Sequence, residues 1–381
     1  MSSSSRRPLG VAVCGGGVGG LSAALALNRA GIECAVYEQA SRYGRVGADI
    51  NLTPNAVRAL DGLGVGDALR GTAARPTYRI SRTWDTGSET SRLEMSDAAE
   101  QRYGSPQLTM HRADLLEALH AALPDGIVRT EAKVVGLEAG VDGSLLHFGD
   151  GGTQHAGVIV GADGIHSVVR TALFGPEHPV FTGVVAYRAV VPRERLAVPD
   201  LDAFTKWWGP DPATQIVAFP LTRGTEVFVF ATTPMDSWRH ESWTTPGDVL
   251  ELRTAYATFH PHARALLDAC DEVLISALYV RDPLPAWSVG AVTLLGDACH
   301  PMMPFMAQGA GQAIEDAVVL ARHLAARPDD PPAALKGYEA ARHERTARIQ
   351  IASRGNEWLK DSANGDWVYG YDAWTTPLAA P

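Results

Sequence analysis

Gly15, Gly17 and Gly20 fit the spacing G-x-G-x-x-G, and their setting constrains the fold more than any other stretch of the chain. The apolar run Val11-Ala12-Val13-Cys14 precedes them. Good helix formers from Leu21 to Arg29 follow, and a second apolar run, Cys34-Ala35-Val36-Tyr37, ends at Glu38. Strand, glycine turn, helix, strand and acid in this order predict a βαβ unit that binds a dinucleotide, FAD or NAD. Gly15 serves the tight turn, Gly17 lets the backbone approach a pyrophosphate, and Gly20 lets helix and strand pack closely. The helix N-terminus offers free N–H groups and partial positive charge to the phosphates, and Glu38 stands where a carboxylate accepts hydrogen bonds from a ribose.

At 381 residues the chain is too long for one small core and suits two closely joined domains. A formal net charge of −10 without a basic block argues against nucleic acid or an anionic membrane as partner. No apolar stretch reaches the roughly 20 residues of a spanning helix. Residues 1–7 lead straight into the first strand, which leaves no room for a signal peptide and suggests a disordered leader. The four cysteines, Cys14, Cys34, Cys270 and Cys299, form no C-x-x-C pair. Neither a zinc site nor a redox dithiol is expected, Cys14 and Cys34 read as buried strand residues, and a cytoplasmic location fits.

The expected fold class is α/β: a Rossmann-like nucleotide domain with an inserted, mainly antiparallel β-sheet domain and C-terminal helices. The nucleotide domain is expected in three parts, 8–75, 101–176 and 288–330. Strands over 76–100 and the segment 177–287 form the inserted domain, where prolines and tryptophans increase and short strands dominate. Residues 331–381 form a C-terminal helix and tail. Helices are expected over Asn55–Leu63, His111–Leu123, 311–326 and 332–359, and buried strands at Val158–Gly164, ending in a turn, and at Val292–Asp297.

Two further motifs follow the fingerprint. Gly161-Ala162-Asp163-Gly164 precedes Ser167 and Arg170. Gly296-Asp297 precedes His300, Pro301, Pro304 and Gln308-Gly309-Ala310-Gly311, with Glu315-Asp316 beyond. With these three motifs in this order, the chain resembles the class A flavoprotein monooxygenases, the para-hydroxybenzoate hydroxylase-like aromatic hydroxylases. The resemblance covers essentially the whole chain. It is closest to the 6-hydroxynicotinate and salicylate hydroxylase-like branch, through Lys206-Trp207-Trp208, Gly296 to Met302, Met306 to Ala310, Ile314 to Ala317 and Trp367 to Asp372. Trp367 and Tyr371 read as packing residues of the tail.

The resemblance implies a bound FAD. Gly15, Gly17, Gly20 and Glu38 would hold its ADP-ribose, Arg45 and Arg112 would contact it, and Asp163 would serve both FAD and the nicotinamide donor. Asp297 would bond ribityl hydroxyls, and the amides of Gly309, Ala310 and Gly311 would face the flavin N1–C2=O edge, where a helix terminus supplies positive potential. It implies NADH, or alternatively NADPH, as a transient co-substrate. O2 would react with the reduced flavin to a C4a-hydroperoxide whose distal oxygen attacks an electron-rich ring, with loss of CO2 where the attacked carbon bears a carboxylate. No metal is implied, and the enzyme would be a monomer or homodimer. Epoxidation or Baeyer–Villiger oxygenation on the same scaffold is the near alternative, and an NAD-dependent dehydrogenase a distant one.

The substrate pocket departs from that branch. Asn51 and Phe305 stand where its 6-hydroxynicotinate enzymes carry His, Thr214 and Ala218 fall near a His and a Tyr, and Phe204 near a Cys. Phe204, Gln215, Ala218, Phe219, Met302, Met303 and Phe305 are expected to line the pocket with Asn51, and Pro304 to lie against the flavin. The pocket is therefore expected to be less polar. No base is evident. His300 either orients backbone or titrates, Tyr187 either packs in its strand or reaches the substrate, and Asn51 cannot take a proton.

Overall fold

The computed structural model describes residues 9–42, 49–140, 143–238, 245–355 and 365–379. Leu9–Cys14 pairs in parallel with Cys34–Tyr37 on one side and Thr153–Gly161 on the other. Val128–Arg129 and Val292–Leu294 extend this parallel sheet outward. Ser288–Val289 and the strands Val134–Glu138 and Ser144–Phe148 add antiparallel edges. Val11 to Cys14 are all buried, as expected of a parallel strand covered on both faces. Gly15 then turns with φ +100, and a Cβ on Gly20 would stand 1.9 Å from the Gly15 carbonyl oxygen, so helix Val18–Arg29 leaves the strand as closely as the fingerprint requires. Helix Gly309–Ala326 packs on that helix.

The second sheet runs Thr245–Gly247, Val273–Val280, Val180–Pro192, Glu226–Pro234, Gln215–Leu221, Phe204–Trp208, Tyr78–Thr83 and Glu89–Glu94. Its pairs are antiparallel except Phe204–Trp208 with Tyr78–Thr83. The early strands thus join the later ones in one sheet. Helices Val249–Ala255 and Pro261–Asp268 go with one face, where Tyr187, Trp207, Leu252, Tyr256 and Leu266 form a core. Phe219, Phe228, Phe230 and Met303 cluster on the other.

One sequence expectation needs correction here: residues 96–100, expected as strand, belong to the helix Ser96–Tyr103. The mainly antiparallel segment 177–287 also contains the two helices just named. Their start signals are legible in retrospect. Asp248 caps the first by accepting from the Leu250 and Glu251 amides, and Pro261 occupies the first turn of the second. The C-terminal helix runs Pro331–Arg354, with the Asp330 side chain accepting from the Ala333 amide at its start. No described helix is long and apolar enough to cross a membrane. All four cysteines are buried and free.

Candidate active site

The C-terminal ends of the parallel strands open onto a groove of about 480 Å³. Gly15, Gly17, Glu38, Arg112, Asp163, Asp297, Gly309 and Ala310 line it. A Cβ built on Gly17 would meet nothing within 4 Å, so the groove is open where a pyrophosphate would pass. Glu38 accepts from the Gly16 and Ala40 amides, each at 2.7 Å, which pins the acid at the groove's rim. Asp163 accepts from the Val168 amide at 2.7 Å, the Val169 amide at 3.2 Å and the Ser167 hydroxyl. It braces the helix behind the groove, and burial raises its carboxyl despite these donors. Burial likewise raises Asp297, against the opposing pull of Arg112 and His300.

Gly20 and Gly311 do not line the groove. Gly20 faces the Gly15 carbonyl, and Gly311 packs toward Ala56 and Asn55. The Gly311 amide still precedes the first bond of its helix, Gln312 to the Gln308 carbonyl, so three consecutive amides stand at that terminus. Arg45 lies outside the described residues.

Arg112, Asp297, Gly309 and Ala310 also line a second cavity of about 250 Å³, which therefore joins the groove. Asn51, Phe204, Gln215, Phe219, Met302, Met303, Pro304 and Phe305 wall this chamber. Phe204 and Phe219 stack with centroids 5.0 Å apart. Gln107 donates to the Asn51 carbonyl oxygen at 2.6 Å, which fixes that amide and leaves its N–H groups to donate.

Three sequence-derived residues lie elsewhere. Tyr187 and Ala218 belong to the core on the helix-covered face of the second sheet. Strand alternation turns their neighbours instead toward the chamber side: Val217 lines it, and the Arg188 guanidinium lies 5.7 Å from the Phe230 ring centroid and donates to Ser276 at 2.6 Å. His300 lines neither cavity. It is buried beside Trp287, its Nε2 2.6 Å from Asp316.

That contact belongs to a buried polar network behind the Gly309 helix terminus. Arg342 reaches Asp316 and Glu315, each at 2.7 Å, and Arg345 reaches Glu315 at 2.9 Å. Asn55 donates to Glu315 at 2.6 Å and to Gln308, and Gln308 donates to Thr53. Arg345 also donates to the Trp367 and Val368 carbonyls, and its guanidinium lies 4.0 Å from the Tyr371 ring centroid. The tail residues thus hold the helix that braces the flavin motif. Burial pushes Glu315 and Asp316 up, but the surrounding cations outweigh it and hold both carboxyls below their ordinary range.

The sequence reading missed the charged lining. Asp49, Arg79 and Lys206 all face the chamber. Lys206 is 4% exposed, its Nζ 3.5 Å from the Trp208 ring centroid, and the Arg79 guanidinium lies 5.5 Å from the Phe204 ring. Burial lowers the Arg79 pKa. Burial lifts the Asp49 carboxyl from 3.8 to about 6, with Arg188, Arg112 and His111 pulling the other way. The pocket is therefore more charged than expected. Period-two spacing links Asp49 to Asn51 and Lys206 to Phe204, a signal that could have found two of the three.

Residues 9–353 match the FAD binding domain family. The 6-hydroxynicotinate 3-monooxygenase of Bordetella bronchiseptica is 40% identical over 372 residues, covering 97% of this chain and 96% of that protein. The 3-hydroxybenzoate 6-hydroxylase of Polaromonas naphthalenivorans is 39% identical, covering 91% and 86%. Among solved structures, a salicylate hydroxylase substrate complex superposes with a TM-score of 0.82 at 27% identity, covering 96% of each chain. Klebsiella pneumoniae HpxO with FAD and uric acid gives 0.81 at 28%, covering 91% and 87%. Open space at Gly17, a continuous groove and chamber, and a helix terminus with three leading amides fit FAD. The chain belongs to the FAD binding domain family and, within it, to the class A flavoprotein aromatic hydroxylases, enzymes that use FAD, NAD(P)H and O2 to place one oxygen atom on an aromatic ring.

Proposed function

We propose that this hydroxylase acts on a monocyclic aromatic or heteroaromatic carboxylate bearing a ring hydroxyl or amine. The observation that carries the reading is the pair of cations on the chamber wall, buried Lys206 and half-buried Arg79, beside a cluster of Phe and Met side chains. Cations on a cavity wall are placed to bind the anionic group of a ligand, and an arginine and a lysine together suit a carboxylate. The carboxylates in the names of the relatives, 6-hydroxynicotinate and 3-hydroxybenzoate, support the same class. Asn51 and Phe305 differ from the histidines of the 6-hydroxynicotinate branch, so 6-hydroxynicotinate itself is expected to be a poor substrate.

Bound FAD, reduced by the nicotinamide donor, supplies an electrophilic oxygen atom from O2. The chain's own residues do the rest. Gly15, Gly17 and Glu38 would hold the ADP-ribose end, Arg112 and Asp297 the stretch toward the chamber, and the amides of Gly309–Gly311 would supply positive potential to the flavin. Arg79 and Lys206 clamp the substrate carboxylate and Asn51 donates to a ring substituent. Phe219, Phe228, Phe230, Met302, Met303 and Phe305 orient the ring and keep water out. The donor is NADH, the enzyme works in the cytoplasm as a monomer or homodimer, and attack at the carboxylate-bearing carbon would release CO2.

The test is a panel of hydroxybenzoates, aminobenzoates and hydroxypyridine carboxylates, each paired with its decarboxylated counterpart. Stimulation of NADH oxidation is read with product mass. The carboxylates should exceed their partners in kcat/KM by at least about tenfold, about 1.4 kcal/mol. Equal turnover of the neutral phenols would overturn the reading.

A further inference from the structure

A ring hydroxyl activates its ring most strongly when it gives up its proton, and neither residue put forward for that task reaches the chamber. His300 is locked to Asp316, and Tyr187 faces the opposite side of its sheet. Two carboxylates line the chamber among the described residues, Asp49 and Asp297. Asp297 also lines the nucleotide groove, where the flavin chain would occupy it.

We propose that Asp49 is the catalytic base of this hydroxylase, taking the proton of the substrate's ring hydroxyl or ring amine. The proposal rests on the reading that an aromatic carboxylate fills the chamber. Asp49 immediately precedes the strand Ile50–Leu52, and period-two alternation brings it to the chamber with Asn51. Arg79 and Lys206 take the carboxylate, Asn51 donates to the ring substituent, and Asp49 is the neighbouring group that can accept. The charged and titratable groups that face it are Arg188 from the second sheet and Arg112 and His111 from the start of the Arg112–Ala121 helix. Arg79 and Lys206 complete the charges of the chamber wall. An exposed aspartate would be too weak a base, whereas burial brings this carboxyl to about 6, so it is ionised at neutral pH yet still takes a proton readily.

The substrate O–H bond breaks, its proton forms a bond to an Asp49 carboxylate oxygen, and the electron pair stays on the ring oxygen. That pair raises electron density at the ring carbon that bonds the electrophilic oxygen. The O–O bond breaks as the C–O bond forms, and the second oxygen of O2 leaves as water, with two electrons from NAD(P)H. The attacked carbon then loses its hydrogen as a proton, or its carboxylate as CO2, the ring regains aromaticity, and Asp49 returns its proton to the substrate's ring oxygen.

The test begins with binding. Benzoate, 3-hydroxybenzoate and 4-hydroxybenzoate are titrated into the oxidised FAD-loaded enzyme between pH 5 and 8, with the flavin spectrum as readout. In the wild type at least one hydroxybenzoate should bind more tightly than benzoate. The advantage should grow roughly tenfold or more as pH rises through about 6, because a hydrogen bond to an ionised acceptor is then available. Asp49→Asn should abolish the growth with pH. In single-turnover kinetics of the same hydroxybenzoate, that variant should slow oxygen transfer by about 10²–10⁴. Flavin reduction and FAD content should be kept, and Asp49→Glu should recover part of the rate. If neither benzoate nor either hydroxybenzoate binds, the carboxylate reading falls and this proposal with it. If benzoate binds but no hydroxyl gives a pH-dependent gain that requires Asp49, or if Asp49→Asn transfers oxygen at the wild-type rate, Asp49 is not the base and the carboxylate reading stands.

Discussion

Two groups of charge in this molecule follow opposite rules. Behind the Gly309 helix terminus, Glu315 and Asp316 are fully buried and face Arg342, Arg345 and His300 at 2.6–2.9 Å. Around the chamber, Asp49, Arg79 and Lys206 face a cavity. The consequence appears in the carboxyls. In the network, burial is outweighed by close cations and both acids are held low. At Asp49 burial wins over more distant cations and the acid is raised to about 6. Burial alone therefore does not mark a functional charge here. Closed pairing makes a brace, and a charge turned to a cavity makes a site.

The largest expected effect tests the brace. Arg342→Met would leave two buried carboxylates short of a partner and should cost about 3–5 kcal/mol in urea unfolding of the holoenzyme. A loss below about 1 kcal/mol would mean that the two regions do not differ as described. Next comes the chamber. Lys206→Met should raise KM for the best aromatic carboxylate by about 10–100-fold, the range of a charge-assisted hydrogen bond, and change stability by no more than about 1 kcal/mol. A large stability loss with unchanged KM would move Lys206 into the brace.

His300→Gln probes the boundary between the regions. Glutamine can still donate to Asp316, so oxygen transfer should stay within about tenfold, about 1.4 kcal/mol of barrier. A thousandfold slowing with FAD content and flavin reduction intact would show that this network residue takes part in the chemistry. The smallest effect is the pH dependence of stability. Asp49 binds its proton more tightly when folded, so its contribution falls as pH rises from its unfolded value of 3.8 through about 6. Glu315 and Asp316, held low, contribute at neutral pH and lose that contribution in acid as pH falls through their folded values. The melting temperature of Asp49→Asn should therefore rise relative to wild type between pH 5 and 8. A constant difference would place Asp49 in solvent.

How much of this was legible differs by element. The fingerprint around Gly15, Gly17 and Gly20, the acid Glu38 and the Asp297-to-Gly311 stretch are local. Turn geometry, helix start and strand end are written in contiguous residues, and the groove assembles from those pieces. The chamber is different. The Gln215–Leu221 strand is buried at every position, so alternation carries no sign of which face is which. That is why Ala218 reads as a pocket residue in the sequence, while Val217 lines the chamber. On Val180–Pro192, Tyr187 takes the packed of its two readings, and Arg188 lies toward the chamber side. Arg79 reaches the site only because Tyr78–Thr83 pairs in parallel with Phe204–Trp208, a pairing across more than a hundred residues that no local signal announces. Asp49 gains its raised pKa from burial at a chamber that residues 49–51, Arg112 and the Phe204–Trp208 strand enclose together. By itself the sequence determined the dinucleotide motif and the order of the elements, because those depend on short-range geometry, and its motifs together gave the resemblance that implies FAD and the reaction class. The tertiary structure alone decided which side chains share the substrate's cavity and with what charge, because that depends on the facing of a sheet buried on both sides and on contacts between distant segments.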